Sequence, residues 1–374
     1  MPAAAAPPPR VPRVDGRIPS LDGLRALSIG LVLLAHLTGT QRFPVIPELG
    51  HWHLGDLGVR VFFVISGFLI TTLLLEEVDR TGTVSLSKFY ARRFFRIFPA
   101  FYFFCAVLFL LEWRHVITLH RGDLIAAVTY TVNYHHDRAW YAGHLWSLSV
   151  EEQFYLLWPA LLLWAGVRRS LKVAMLAVLV APSLRLAMGF WPELRPGIGE
   201  TFPSVADALA TGCVLAGLRP WLARSERWQR RLRSRLFWLA PLAVALAARN
   251  PSAKLDWLIG QTLMNVGIAV IIERAICSHG ELLGRLLNSR PLVFIGTMSY
   301  SLYLWQQLFL FRRGTSELQS FPLNLVLAVL AALASYYLVE KPFLRLRAWF
   351  ERGPNAAREP SSATASTPSV NPVR

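Results

Sequence analysis

Residues 57–75 read LGVRVFFVISGFLITTLLL, a stretch of 19 residues with one charged side chain, Arg60. A helix needs about 20 apolar residues to cross the hydrocarbon core of a bilayer, so this stretch is long enough to span a membrane. The whole chain of 374 residues has the same character, with 54% hydrophobic and 17% charged residues. Soluble domains carry roughly 25% charged residues. The sequence therefore predicts an all-α polytopic membrane protein rather than a soluble enzyme.

Similar apolar stretches recur along the chain. We expect about ten transmembrane helices, at residues 24–40, 57–75, 97–111, 145–164, 172–190, 204–218, 236–249, 256–273, 291–311 and 322–339. The basic residues test this division, because Lys and Arg accumulate on the cytoplasmic side of membrane proteins. With a cytoplasmic N-terminus, 27 of the 39 Lys and Arg residues fall inside, 9 fall outside and 3 fall within spans. An even number of spans then places both termini in the cytoplasm.

The chain carries a net charge of +16, which in a soluble protein would suggest a nucleic-acid partner. Here the basic residues lie between apolar stretches, where they set orientation, so we expect no nucleic acid. Cys105, Cys213 and Cys277 lie in or beside apolar stretches without a CxxC pair, which predicts neither a disulfide framework nor a metal site. Composition divides the chain into three regions: a disordered N-terminal segment without a signal peptide (1–19), a transmembrane domain (20–345) and a disordered cytoplasmic tail (346–374).

An ionisable side chain inside a membrane span is costly and marks a candidate functional site. Arg25 and His36 lie eleven residues apart in the first span. That spacing is about 1100° of helical rotation and ~16 Å of rise, so the two residues share one face at different depths. Arginine can hold an anion and histidine can exchange a proton near neutral pH, which predicts an anion holder and a general base. The alternative is a snorkelling arginine with a histidine that hydrogen-bonds a neighbouring helix.

A basic cluster of Arg92, Arg93 and Arg96 lies among aromatic residues at the expected cytoplasmic start of the third span. Arg93 and Arg96 share a helix face because they are three residues apart. Paired guanidinium groups beside aromatic rings suit a phosphate-bearing ligand with a planar base. A cluster that only sets the topology is the alternative.

A third group of polar residues enters the fourth span from the outside. His144, Ser147 and Glu151 are spaced at i, i+3 and i+7 and line one helix face, and Glu152 lies on the adjacent face. These groups can orient an imidazole or bind the hydroxyls of a sugar. An acidic pair favoured by the helix dipole is the alternative. Further polar residues lie in or near other apolar stretches: Asp56, Tyr303 and Gln306.

Taken together, these segments resemble the acyltransferase 3 family of integral membrane acyltransferases, which O-acylate bacterial surface glycans and some secondary metabolites. The resemblance covers residues 18 to about 343 and rests on six segments in order. They are residues 21–27 with the Arg25 to His36 spacing, residues 58–68, the pair Arg93 and Arg96, residues 146–155, residues 299–305 and residues 340–342.

The resemblance implies transfer of an acyl group, expected to be acetyl, from cytoplasmic acyl-CoA to a hydroxyl of a carbohydrate-containing acceptor. An O-antigen, an exopolysaccharide or a lipid-linked sugar would serve as that acceptor. His36 is then the essential histidine with Arg25 as its partner, and Arg93 and Arg96, with Arg92 beside them, bind the phosphates of coenzyme A. The implied protein lies in the bacterial inner membrane as a multi-pass protein in the lipid bilayer. Acyl-CoA is a co-substrate, and we expect no permanent cofactor and no metal.

The resemblance also implies that Glu151 or Glu152 lies near His36, where a carboxylate fixes the histidine tautomer or holds the acceptor. The candidate acceptor-binding residues are Ser147, Tyr303, Gln306 and Asp56. Many relatives carry a histidine where this chain has Gln306, which favours hydrogen bonding over catalysis at that position.

The alternative from another class is a transporter or flippase of a lipid-linked sugar, in which Arg25, His36 and Glu151 form a proton-coupled pathway. The sequence shows no inverted repeat and no paired broken helices, the usual features of such transporters. A membrane scaffold without chemistry would leave the three aligned polar clusters unexplained. Binding of acyl-CoA distinguishes the enzyme from both alternatives.

Overall fold

The computed structural model describes residues 17–249, 252–278 and 280–352. Over these ranges the chain is helical and contains no β-strand. The α-helices are α1 (Pro19–Leu37), α2 (Leu54–Thr81), α3 (Leu86–Trp113), α4 (Asp123–Val128), α5 (Trp140–Gly143), α6 (Leu145–Phe190), α7 (Phe202–Arg224), α8 (Glu226–Arg233), α9 (Leu239–Ala248), α10 (Ala253–Leu255), α11 (Gln261–Cys277), α12 (Leu282–Leu287), α13 (Arg290–Thr297), α14 (Ser299–Phe309), α15 (Leu323–Ser335) and α16 (Lys341–Arg352). Two π-helical turns, Asp256–Gly260 and Tyr336–Glu340, make α10 continuous with α11 and α15 continuous with α16.

Seven helical segments of the described chain are long and apolar enough to cross a membrane. They are Pro19–Leu37, Leu54–Thr81, Leu86–Trp113, Trp140–Phe190, Arg195–Arg224, Ala253–Cys277 and Leu323–Phe350. The prediction of an all-α polytopic fold is therefore confirmed, whereas the expected number of about ten spans is not confirmed. The described helices also extend through residues 346–352, the first part of the expected disordered tail. The rest of that tail, and residues 1–16 of the expected N-terminal segment, lie outside the described residues.

Two of the expected spans are the two halves of one broken helix. Residues 145–164 and 172–190 fall within one element, α6, which is interrupted at Gly166 (φ 76°, ψ 164°). Across this break the Ser170 hydroxyl donates to the Leu161 carbonyl oxygen at 3.1 Å. Nine residues of straight helix would separate those positions by about 13.5 Å, so the chain bends sharply at Gly166.

The other differences concern expected spans that are too short as helices. Residues 236–249 contain α9, which has 10 residues. Residues 291–311 are divided between α13 and α14, of 8 and 11 residues, which meet at Met298. A helix of 10 residues covers about 15 Å, half of the hydrocarbon thickness of a bilayer.

Close contacts between helix backbones hold α2 at the centre of the bundle. A Cβ atom at Gly67 or Gly212 would clash with backbone atoms of the facing helix, α7 or α2 respectively. Small residues permit such approach in membranes, where van der Waals packing drives helix association. The second half of α6 is fixed to α7 by a fully buried ion pair between Arg185 and Asp207, at 2.9 Å. This frame positions α1, α3 and α14 around the polar residues of α2 and α6.

Candidate active site

A small inner cavity of about 90 Å³ lies where α1, α2, α3, α6 and α14 meet. It brings together most of the polar residues that the sequence singles out, from four separate parts of the chain. Those residues are Arg25, Arg93, Arg96, Ser147, Glu151, Glu152 and Tyr303. Three cationic and two acidic side chains therefore face one buried space within an otherwise apolar bundle.

The arginines of the inner cavity are held in different ways. Arg25 donates to Asp22 at 3.0 Å, one turn earlier on α1. The guanidinium of Arg93 lies 5.6 Å from the ring centre of Tyr155 and 5.8 Å from that of Phe89, and its buried Nε has no hydrogen-bond partner among the described residues. Aromatic faces thus support Arg93 while its donors stay available to a ligand.

Arg92 departs from the expected phosphate cluster. Its guanidinium donates to Glu77 of α2 at 3.3 Å, and the residue does not line the inner cavity. The consecutive residues Arg92 and Arg93 point about 100° apart on the helix, so one can face the cavity while the other pairs with α2.

Glu151 and Glu152, expected near His36, line the inner cavity together with the arginines, whereas His36 does not line it. Glu151 Oε1 accepts a hydrogen bond from the Ser66 hydroxyl at 2.6 Å. The Tyr155 hydroxyl donates to Ser66 at 3.3 Å, so three residues of α2 and α6 form a chain of hydrogen bonds. Glu152 lines the same cavity.

His36 lines a second, outer cavity of about 350 Å³. Its Nδ1 lies 2.7 Å from Oε1 of the fully buried Gln306, and its ring lies edge-on to Trp140 with 5.4 Å between ring centres. The amide oxygen only accepts, so this contact assigns the proton of a neutral His36 to Nδ1. The lone pair on Nε2 is then left for a reacting group. Asp56, expected to bind the acceptor, also lines this outer cavity.

Tyr303 and Val59 line both cavities and therefore form their common wall. The Tyr303 hydroxyl donates to the carbonyl oxygen of His144 at 3.0 Å and lies 2.6 Å from the Ser147 hydroxyl. Ser147 and Tyr303, both expected to bind acceptor, thus bind each other in this wall. The predicted face of His144, Ser147 and Glu151 runs from the outer cavity to the inner one.

Sequence reasoning missed several residues of the site. Trp140 donates through its indole N–H to the Gln307 carbonyl oxygen at 2.9 Å, and the Gln307 side chain accepts from the His144 backbone N–H at 3.0 Å. Ser66 was not among the predicted site residues, although a hydroxyl in the middle of an apolar stretch is a signal for a polar partner. Tyr155, three residues after Glu152, also places a hydroxyl group within an apolar stretch.

Comparisons with known proteins agree on one family. Residues 18–340 match a family model described as an acyltransferase domain. The chain is 29% identical over 358 residues to the O-acetyltransferase OatA of Staphylococcus aureus, covering 87% of this chain and 57% of that protein. It is 29% identical over 350 residues to the peptidoglycan O-acetyltransferase OatA of Listeria monocytogenes, covering 87% and 54%. The chain thus spans about half the length of these curated relatives. No solved structure matches it.

Proposed function

The chain belongs to the acyltransferase 3 family, and from this premise we propose that it is a membrane O-acyltransferase that moves an acetyl group from acetyl-CoA to a hydroxyl of a carbohydrate-containing acceptor. One observation supports this most strongly. His36, held by Gln306, faces an outer cavity that shares a wall with an inner cavity lined by Arg25, Arg93 and Arg96.

The inner cavity suits the donor. Coenzyme A carries phosphate groups, which arginine binds with charge-assisted and often bidentate hydrogen bonds. Arg93 and Arg96 lie near the expected cytoplasmic start of α3, the side on which acyl-CoA is made. Arg92 pairs with Glu77 and is left out of the donor site in this proposal.

The outer cavity suits the acceptor. Trp140 and Trp146 contribute aromatic faces, while Asp56 contributes a carboxylate that can accept hydrogen bonds from hydroxyls. Because two curated relatives are O-acetyltransferases, and one is named for peptidoglycan, we infer a cell-wall glycan as the acceptor class. The protein is then a multi-pass protein of the bacterial inner membrane.

His36 supplies the reactive nitrogen. Nε2 takes the proton of the acceptor hydroxyl as its oxygen attacks the thioester carbonyl carbon. The carbon–sulfur bond breaks, and the thiolate of coenzyme A takes the proton back from His36. In a second route Nε2 attacks the thioester carbonyl carbon and the carbon–sulfur bond breaks, which leaves acetyl-histidine and the thiolate of coenzyme A; the acceptor hydroxyl then attacks the acetyl group, its proton goes to the thiolate, and neutral His36 is released. Gln306 holds Nδ1–H in both routes.

The decisive experiment measures acetyl-CoA binding and acetyl transfer to peptidoglycan fragments by purified protein. We expect His36→Ala to abolish transfer with little change in acetyl-CoA affinity. Arg93→Ala and Arg96→Ala should each weaken acetyl-CoA binding about tenfold or more, as loss of a charge-assisted hydrogen bond predicts. Arg92→Ala is the matched control and should bind like wild type.

Two results would contradict the proposal. One is full transfer by a well-folded His36→Ala protein. The other is a wild-type protein that binds no acyl-CoA but moves a lipid-linked sugar across vesicle membranes, which would favour the transporter.

A further inference from the structure

A third cavity lies away from the proposed active site, at the bend of α6. We call it the elbow cavity; its volume is about 510 Å³. None of its lining residues lines the inner or outer cavity. The lining comes from both halves of α6 and from α7: Phe154, Leu157, Trp158, Ala160, Leu161, Trp164, Val173, Ala174, Ala177, Phe202, Ala206, Ala210 and Cys213.

The wall of the elbow cavity is apolar and its rim is exposed. Trp164 is 87% exposed and Leu157 is 54% exposed, on a segment long and apolar enough to cross a membrane. In a bilayer such a rim faces hydrocarbon, so the cavity is open to the acyl chains of lipids.

Three cationic residues come within six positions after the bend at Gly166. Arg168, Arg169 and Lys172 are exposed and form no ion pair with any described residue. Arg169, Val173 and Ala177 are spaced four residues apart in the second half of α6 and therefore share one helix face. Val173 and Ala177 line the elbow cavity, so Arg169 lies one turn beyond its end on the same face. Basic groups at the end of an intramembrane pocket are the usual arrangement for anionic lipid headgroups.

We propose that the elbow cavity binds an anionic phospholipid, with one acyl chain in the cavity and the phosphate held by Arg169 and Lys172. The complementary charge favours an anionic over a zwitterionic lipid, and the exposed apolar rim favours a lipid over a soluble anion. This site is independent of the donor and acceptor sites, so it stands whether or not the chain transfers acetyl groups.

The test compares phosphatidylglycerol with phosphatidylcholine of the same acyl chains, added to detergent-purified full-length protein. Native mass spectrometry counts retained lipid and thermal unfolding gives the shift in Tm. We expect phosphatidylglycerol to be retained and to raise Tm more than phosphatidylcholine. Arg169→Gln should weaken retention about fivefold, the effect of one basic residue near a membrane surface. Ala177→Phe, which fills the cavity, should remove the preference.

Arg233→Gln is the matched control, because it removes an exposed cation from α8, a helix that contributes no residue to the lining of the elbow cavity. It should retain phosphatidylglycerol like wild type. Equal retention of the two phospholipids, or wild-type retention by Arg169→Gln, would overturn the proposal; Arg169 is exposed, so this variant should fold. Preferential retention of undecaprenyl phosphate over phosphatidylglycerol in a direct competition would overturn the choice of occupant.

Discussion

The contact made by Gln306 differs from the role that the sequence predicted for this residue. It was expected to bind the acceptor, yet its amide oxygen lies 2.7 Å from Nδ1 of His36. We predict that Gln306→Leu lowers kcat roughly 10- to 100-fold, because an unheld imidazole presents Nε2 in the correct tautomer and orientation only part of the time. Gln306→Glu keeps an accepting oxygen and should restore most of kcat.

Steady-state kinetics with acetyl-CoA and an acceptor checks this prediction. Unchanged KM for acetyl-CoA would locate the effect at His36 rather than at the donor site. Equal activity of Gln306→Leu and wild type would show that the contact does not position His36.

Tyr303 allows a second prediction at this scale, because its side chain separates the two cavities. Tyr303→Ala would join them and admit water to the donor, so we expect acetyl-CoA hydrolysis without acceptor to rise several-fold. Tyr303→Phe keeps the ring and loses only the hydrogen bonds to His144 and Ser147, so its hydrolysis should stay low. Thiol release, followed with a chromogenic reagent, measures both; a low rate in both variants would contradict the role of the wall.

Sequence spacing predicted which residues lie on one face of a helix, but it did not predict which residues of other helices they contact. Arg25 and His36, or His144 and Glu151, follow from helical periodicity alone. The separation of seven positions between His144 and Glu151 is also about 10 Å along the helix axis, which explains why Glu151 lines the inner cavity and His144 the outer one. The contact of His36 with Gln306 joins positions 270 residues apart, and no local pattern indicates it.

At the scale of elements, the bend of α6 depends on one residue. Gly166 has φ 76° and ψ 164°, a region of backbone conformation that is essentially restricted to glycine. We predict that Gly166→Ala destabilises the protein by roughly 1–3 kcal/mol. Gly30→Ala is the control, since Gly30 is helical with no atom within 4 Å of an added Cβ, and alanine is favoured there.

Unfolding in detergent, followed by circular dichroism, gives the difference between these two variants. A Gly166→Ala protein as stable as Gly30→Ala would mean that the bend tolerates a side chain. The same residue separates two of the expected spans. The expected spans 145–164 and 172–190 lie on either side of this bend as the two halves of α6, whereas the expected span 291–311 is divided between α13 and α14, because hydropathy reports how apolar a segment is but not where its backbone turns.

For the whole molecule, the orientation in the membrane is still an expectation from charge. We predict that Val45→Cys reacts with a membrane-impermeant maleimide in intact spheroplasts, whereas Thr83→Cys reacts only after permeabilisation. Both positions are exposed, Val45 in the loop before α2 and Thr83 in the loop after it, and native Cys105 and Cys213 are buried. The unmodified protein, which also contains the half-buried Cys277, sets the background. Labelling of Thr83→Cys in sealed spheroplasts would reverse the orientation.

The two cavities of the proposed active site also differ in size. The inner cavity, lined by the arginines, has a volume of about 90 Å³, and the outer cavity, lined by His36, has a volume of about 350 Å³. In the proposed function a thioester in the inner cavity has to pass the wall of Tyr303 and Val59 to reach His36, so we expect a short acyl group to be transferred more readily than a fatty one. Selectivity for the acyl group would then depend on the inner cavity, and selectivity for the acceptor on the outer cavity. Members of this family could then differ in their acceptors through changes in the outer cavity alone, while the acyl group that they transfer stays the same.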